Sequence, residues 1–230
     1  METSIKTKTN SKEHNIDCML KDKGVLAVIE IERKDYAAPT CEALLAGGIC
    51  AIELALRTDA APESIKIIKK TFPQMLVGAG TLISKGQALR VKELGADFAL
   101  SPGYNPEIAA ETKKAKLPFI PGIATPTEIE AAASKGFNVL KFFPAQAAGA
   151  AAYLKSIDYP YAYLKLKYVP LGGINEENLS LYASMPQVLA VGGTWVAPKQ
   201  AIRYGQWRKI TALAKRAMEI WNESKYTQAK

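Results

Sequence analysis

Eight short apolar runs rich in β-forming residues recur along the chain at broadly even spacing. They are GVLAVIEI (24–31), ICAIELAL (49–56), MLVGAG (75–80), ADFALSP (96–102), PFIPGI (118–123), FNVLKFFP (137–144), LKYVPLGG (166–173) and VLAVGG (188–193). Each stops at Gly, Pro or a polar group. Their continuous apolar character suits parallel strands buried on both faces.

Between these runs the pattern changes to helical spacing. The stretch 36–46 sets Cys41, Leu44 and Leu45 on one face before Gly47-Gly48, a helix stop. Residues 62–70 carry a first-turn Pro and then Ile65, Ile67 and Ile68, and 84–94 ends at Gly95. Asn105-Pro106-Glu107 and Thr125-Pro126-Thr127-Glu128 read as capped helix starts, the second helix ending at Gly136. Two more helices fall at 175–183 and 206–221, the last long, amphipathic and basic. Repeated strand–helix units of this number predict an α/β protein, a (β/α)8 TIM barrel. The alternative is an open doubly wound sheet. No G-x-G-x-x-G follows the first run and no G-x-x-x-x-G-K-[ST] occurs, so neither nucleotide fingerprint supports it. With no linker or break in composition, the reading is a polar tail over 1–16, a single barrel domain over 17–222 and a short tail over 223–230.

Composition adds exclusions. The 230 residues are 48% hydrophobic and 23% charged, the make-up of an ordinary globular protein. The formal net charge of +8 invites a nucleic-acid reading, but residues 199–230 hold eight basic and two acidic side chains, so the basicity belongs mainly to the C-terminal segment. The aromatics there, Tyr204, Trp207 and Trp221, stand at helical spacing, which points to packing, and no nucleic-acid module is recognisable. Cys18, Cys41 and Cys50 form no CxxC pair, so a reducing cytoplasm is expected. His14 is the one histidine and sits in the polar tail, leaving almost nothing for a zinc site or a Ser-His-Asp triad. No apolar run is long enough to span a membrane, and the first residues lack the apolar centre of a signal peptide.

In such a barrel the chemistry gathers at the carboxyl ends of the strands. Two residues there are odd for a structural role. Lys141 sits inside VLKFFPA, and burial disfavours the charged ammonium, leaving the neutral amine that attacks a carbonyl. The plain alternative is a lysine whose stem lines the barrel while its head reaches the rim. Glu53, in CAIELALRT, either pairs with Arg57 four residues on or moves protons as a general acid/base beside a lysine. A carboxylate and a buried amine are the minimum set for iminium chemistry. The Gly pairs ending the last two runs, Gly172-Gly173 and Gly192-Gly193, are either simple turns or a backbone cradle for an anion such as phosphate. The GAG at 78–80 reads as packing followed by a sharp exit into Thr81.

With these residues in place, the ordered set AGGICAIELALRT, VGAGTL, GADFALSPG, PFIPGIATPTE, LKFFPA, PLGGI and VGGTWVAP resembles the class I 2-keto-3-deoxy-6-phosphogluconate and 4-hydroxy-2-oxoglutarate aldolases over about 24–215. The resemblance implies a metal-free, cofactor-free lyase, a homotrimer of barrels that cleaves a keto-acid substrate to pyruvate and an aldehyde. It implies that Lys141 is the Schiff-base lysine and Glu53 the general acid/base. Arg57 and Thr81 would hold the pyruvyl carboxylate, Phe143 would pack beside the pyruvyl group and Pro102 would shape the pocket. Gly172, Gly173, Gly193 and Thr194 would form the phosphate end.

Four departures cluster toward that distal end. Leu171 stands where the family commonly has Thr, Gln146 where many relatives have Glu, and Glu30 where some have Arg. The stretch 158–163 is longer and rich in tyrosine. The Lys/Glu/Arg/Thr set is intact, so pyruvyl chemistry is expected, while the aldehyde half stays open. The competing readings are an aldolase for an unphosphorylated 4-hydroxy-2-oxo acid or another 2-keto-3-deoxy sugar acid, and an inactive ligand-binding or assembly barrel.

Overall fold

The computed structural model describes residues 15–226. His14, most of the expected 1–16 tail and the end of the 223–230 tail lie outside the described residues. Among the described residues there are nine strands, with a helix between each successive pair except β5 and β6: β1 (Gly24–Ile29), β2 (Ala51–Ala55), β3 (Leu76–Gly80), β4 (Phe98–Leu100), β5 (Phe119–Ile120), β6 (Gly122–Ile123), β7 (Val139–Phe142), β8 (Lys167–Pro170) and β9 (Ala190–Gly193). Each expected run contains a strand, except that PFIPGI yields two. Pro121 has no N–H for the ladder, and the run divides there into β5 and β6.

All the pairings are parallel. Six strands form one curled sheet in the order β5-β4-β3-β2-β1-β9, and three form another in the order β6-β7-β8. Isolated bridges Tyr168↔Val188 and Leu171↔Gly192 join the flanks of β8 and β9. The result is a parallel-strand α/β fold with a strongly curled sheet, as the apolar runs predicted.

The helices are α1 (Ile16–Leu20), α2 (Ala37–Ala46), α3 (Ala61–Thr71), α4 (Gln87–Glu93), α5 (Pro106–Lys114), α6 (Pro126–Ser134), α7 (Ala150–Asp158), α8 (Leu179–Ala183), α9 (Lys199–Arg203) and α10 (Trp207–Tyr226). The predicted caps are present: Asn105 accepts from Glu107 N, and Thr125 and Glu128 form a reciprocal capping box. At both ends, helix extends beyond the expected domain limits. Ile16 begins α1 and is buried, and α10 continues past 222 to Tyr226.

Burial separates two cores. Outward-facing strand residues such as Ile29, Ile52, Leu54, Leu140 and Phe142 pack under the helices. Inward-facing ones (Leu26, Ala51, Phe98, Leu100, Val139, Val169) pack together inside the curl with Ile16 and Leu20 of α1. Along α10, Ile210, Ala214, Ala217, Ile220 and Trp221 are buried on one side. Gly47 and Gly24 admit this helix at close range, since a Cβ on them would lie 2.4 Å from Ala214 Cβ and 2.7 Å from Trp221 Cδ1. Part of the C-terminal basicity ties this layer down. Arg216 pairs with Glu176 at 2.8 Å, and Lys225 donates to the carbonyls of Met185 and Val188.

Candidate active site

Alternation along the strands aims two charged side chains into the curl. Glu53 stands between Ile52 and Leu54, and Lys141 between Leu140 and Phe142; all four of those neighbours pack outward. The two charges therefore meet from strands 88 residues apart in sequence. Lys141 Nζ donates to Glu53 Oε1 at 3.0 Å and to Oε2 at 3.2 Å, and the residues are only 5% and 2% exposed. A buried charge is tolerated when it is paired and hydrogen-bonded, and each member of this pair satisfies the other. The ammonium also lies 5.2 Å from the centroid of the Phe143 ring, within cation–π range. Glu53 thus pairs with Lys141, and among the described residues no Glu53–Arg57 ion pair is formed.

Neighbouring glycines make the room. β2 pairs with β3 in the register Glu53↔Gly78 and Ala55↔Gly80, and a Cβ on Gly80 would lie 2.2 Å from Glu53 Oε1. On the other side Gly122 is in register with Lys141, and a Cβ there would lie 2.2 Å from the carbonyl oxygen of Pro102. That turn is held by Ser101, whose Oγ donates to Gly103 O at 2.6 Å. Sequence reasoning did not give Gly80 or Gly122 this role. The available signal was glycine inside a strand run, which marks a close approach.

The remaining expected residues ring this pair at the carboxyl ends. Thr81 follows β3 with φ +68°, a left-handed conformation that costs a β-branched residue on the order of 1–3 kcal/mol. Leu56 N donates to Gly80 O, so β2 and β3 exit side by side toward exposed Arg57 and half-buried Thr81. Phe143 is half-buried, and the open side of Gly172 faces its ring, where a Cβ would lie 3.2 Å from Cδ2. Gly172 and Gly173 take φ +97° and +78° after β8, a turn that favours glycine. Gly193 ends β9 against the Trp195 ring, and Thr194 is exposed at the rim. Leu171 is buried and packs on Gly192, while Gln146 accepts from the hydroxyl of Tyr182 at 2.9 Å. Lys141 thus meets both Glu53 and Phe143, whereas Arg57 and Thr81 stand at the strand ends, and among the described residues no hydrogen bond joins them to the pair.

A charge network lies on the rim beside β1. Lys199, the first residue of α9, donates to Glu30 Oε1 at 2.6 Å and lies 3.0 Å from Glu32 Oε1. Arg203 grips both oxygens of Glu32, at 2.7 and 3.0 Å. The hydrogen bonds from Arg203 and Lys199 bring the Glu32 carboxyl from its usual 4.5 down to about 2. Two surface hollows, of about 330 and 600 Å³, are lined by residues around Lys165 and around Trp207; neither includes Lys141 or Glu53. Among the described residues, no three His, Cys, Asp or Glu side chains come together as metal ligands, and no helix is long and apolar enough to cross a membrane.

A parallel α/β fold with one buried amine held by one buried carboxylate at the strand ends has the equipment of an imine-forming enzyme. Comparison with known proteins bears on this directly. The family model described as KDPG and KHG aldolase matches residues 16–213. The chain is 40% identical to the 2-dehydro-3-deoxy-phosphogluconate aldolase of Treponema pallidum, over 85% of this chain and 92% of that protein. It is 37% identical to the KHG/KDPG aldolase of Escherichia coli K12, over 85% and 91%. Among solved structures, the KDPG aldolase of Legionella pneumophila, with pyruvate captured at low pH as a covalent carbinolamine intermediate, superposes with a TM-score of 0.83 at 40% identity, covering 86% of this chain and 96% of that one. The chain belongs to the KDPG and KHG aldolase family.

Proposed function

We propose that the protein cleaves 2-keto-3-deoxy-6-phosphogluconate to pyruvate and glyceraldehyde 3-phosphate through an imine on Lys141. It is a lyase, a class I aldolase that works without a metal or other cofactor. The observation that carries the reading is the 3.0 Å contact between Lys141 Nζ and Glu53 inside the strands. The relative that holds pyruvate as a carbinolamine supports the same amine chemistry.

The ammonium proton of Lys141 passes to Glu53 across that contact. The free amine adds to the C2 ketone, and Glu53 returns the proton to the departing C2 hydroxyl, which leaves as water and gives an iminium that accepts electrons. Glu53, ionised again, takes the proton from the C4 hydroxyl, and the C3–C4 bond breaks. The enamine left behind takes that proton from Glu53 at C3, and hydrolysis of the resulting iminium releases pyruvate and restores the lysine. Arg57 and Thr81 hold the carboxylate at the rim, Arg57 through charge-assisted hydrogen bonds, and so orient C2 toward the amine. Phe143 packs against the pyruvyl group, and Pro102, above Gly122, shapes the pocket. Gly172, Gly173, Gly193 and Thr194 hold the phosphate.

The proposal includes a complete (β/α)8 barrel as one domain over 17–222. The chain continuity of β5 and β6 around Pro121 and the bridges between the flanks of β8 and β9 support it. It also includes a cytoplasmic homotrimer, and three free cysteines fit a reducing compartment. Sedimentation at the mass of three chains tests the assembly. Borohydride reduction in the presence of pyruvate tests the chemistry, with one pyruvyl unit added to Lys141 as the expected product. An unmodified Lys141 under turnover conditions contradicts it.

A further inference from the structure

The alternation that turns Glu53 inward continues beyond the end of β1. Ile29 and Ile31 both pack in the outer core, so Glu30 between them faces the mouth of the curl. β1 pairs with β2 in the register Val28↔Glu53, which sets Glu30 two residues above Glu53, roughly 6–7 Å toward the rim. On its other side β1 pairs with β9, with Ala27↔Gly193, so Glu30 also adjoins the strand that leads to Thr194. A carboxylate therefore stands between the reacting pair and the strand end assigned above to the distal group.

The rim network occupies one side of this carboxylate and leaves the other open. Lys199 occupies Glu30 Oε1, and Oε2 has no hydrogen-bond partner among the described residues. Lys199 is shared with Glu32, which Arg203 also holds, so two acids and two bases balance and no surplus positive charge remains for an anion set against Glu30. An ionised carboxylate can only accept hydrogen bonds. It welcomes a hydroxyl and repels a second carboxylate.

We propose that Glu30 determines specificity for the aldehyde half, accepting a hydrogen bond at Oε2 from the hydroxyl on the carbon next to the cleaved position. This rests on the Schiff-base reading above, in which C4 becomes the aldehyde carbon. A 2-keto-3-deoxy sugar acid carries a hydroxyl on C5. In 4-hydroxy-2-oxoglutarate C5 is a carboxylate, which would meet Glu30 with like charge. Glu30 thus favours hydroxylated aldehydes over glyoxylate, and Lys199 is its positioning residue.

The test runs the reaction in the aldol direction, with pyruvate and either glyceraldehyde 3-phosphate, glyceraldehyde or glyoxylate as partner. In Glu30→Gln the ratio of kcat/KM for the hydroxylated aldehydes to that for glyoxylate falls about tenfold, while borohydride still traps pyruvate on Lys141. Lys199→Gln leaves Glu30 without its counter-charge, so repulsion of glyoxylate grows and the ratio for glyceraldehyde over glyoxylate rises, while Lys199→Arg keeps it at the wild-type value. A ratio unchanged within twofold, or a parallel decline for all three aldehydes, overturns the assignment. A wild-type protein that fails to trap pyruvate overturns the Schiff-base reading, and this proposal with it.

Discussion

Gly80 and Glu53 compete for one volume: a Cβ on the glycine would lie 2.2 Å from Oε1 of the carboxylate and 2.6 Å from its Cγ. The absence of a side chain on β3 therefore sets where the Glu53 carboxylate can sit. Gly80→Ala pushes the carboxylate off its contact with Lys141, and a displacement on the order of 1 Å at a reacting group costs about a hundredfold in rate. The expected outcome is a kcat lower by about a hundredfold with a loss of about 1–3 kcal/mol in stability, read from steady-state kinetics and urea unfolding. Full retention of kcat would contradict this role for Gly80.

The buried pair makes a second prediction, on stability. Lys141→Ala leaves the Glu53 carboxylate buried without a partner, which costs about 3–5 kcal/mol. Lys141→Met with Glu53→Gln removes both charges and recovers most of that loss while activity stays absent. Denaturant unfolding of the three proteins checks it. A single-variant loss below about 1 kcal/mol would show that the two charges do not depend on each other.

Much of this arrangement could be read from the residues, for identifiable reasons. Strands came through because their runs are apolar on both faces, and Lys141 and Glu53 stood out because they interrupt such runs. Their pairing was one of two readings open for Glu53. Arg57 is the nearer cation in sequence, and only the curl of the sheet brings β7 opposite β2. The spaces at Gly80 and Gly122 depend on strand register, which a single sequence does not reveal. The helix α7 escaped because its apolar face is short, with Leu154 and Ile157 buried in an Ala-rich stretch, and because it begins after Gly149 in a left-handed conformation rather than at a side-chain cap. The helix expected from 175 starts only at Leu179, because Asn175 Oδ1 accepts from Glu177 N and Asn178 N and makes a turn there instead.

Gly122 gives a third prediction. A Cβ there meets backbone rather than a movable side chain, with the Pro102 carbonyl oxygen at 2.2 Å and Gly103 N at 2.6 Å. In Gly122→Ala the Pro102 turn must shift, with a stability loss of about 1–3 kcal/mol. Thermal unfolding should show the loss, and a higher KM for the keto acid should show the displaced turn. An unchanged melting temperature and KM would contradict the close approach.

Alkaline pH gives the fourth. Burial pushes the Cys41 thiol from 9.0 up to about 12 and the Tyr182 phenol from 10.0 up to about 12. Both groups stay neutral in the folded protein at pH values where the unfolded chain ionises. Their contribution is therefore complete below about pH 9 and is lost as the pH rises toward 12. Urea unfolding between pH 8 and 12 should show falling stability, with a smaller slope in Cys41→Val. At pH 8 a thiol reagent should label exposed Cys18 and reach Cys41 only in denaturant. Rapid labelling of Cys41 in the native protein would contradict its burial.

The pairing of β1 with β9, from Gly24↔Ala190 to Ala27↔Gly193, also bears on how the chain is made. A strand needs both neighbours to satisfy its edges, and β1 finds one of its two only when β9, far along the chain, has been made. At ordinary ribosomal rates the interval between the two strands is on the order of ten seconds. Throughout it the nascent chain carries one unpaired apolar edge that waits for β9, and this is the interval in which it is most exposed to aggregation.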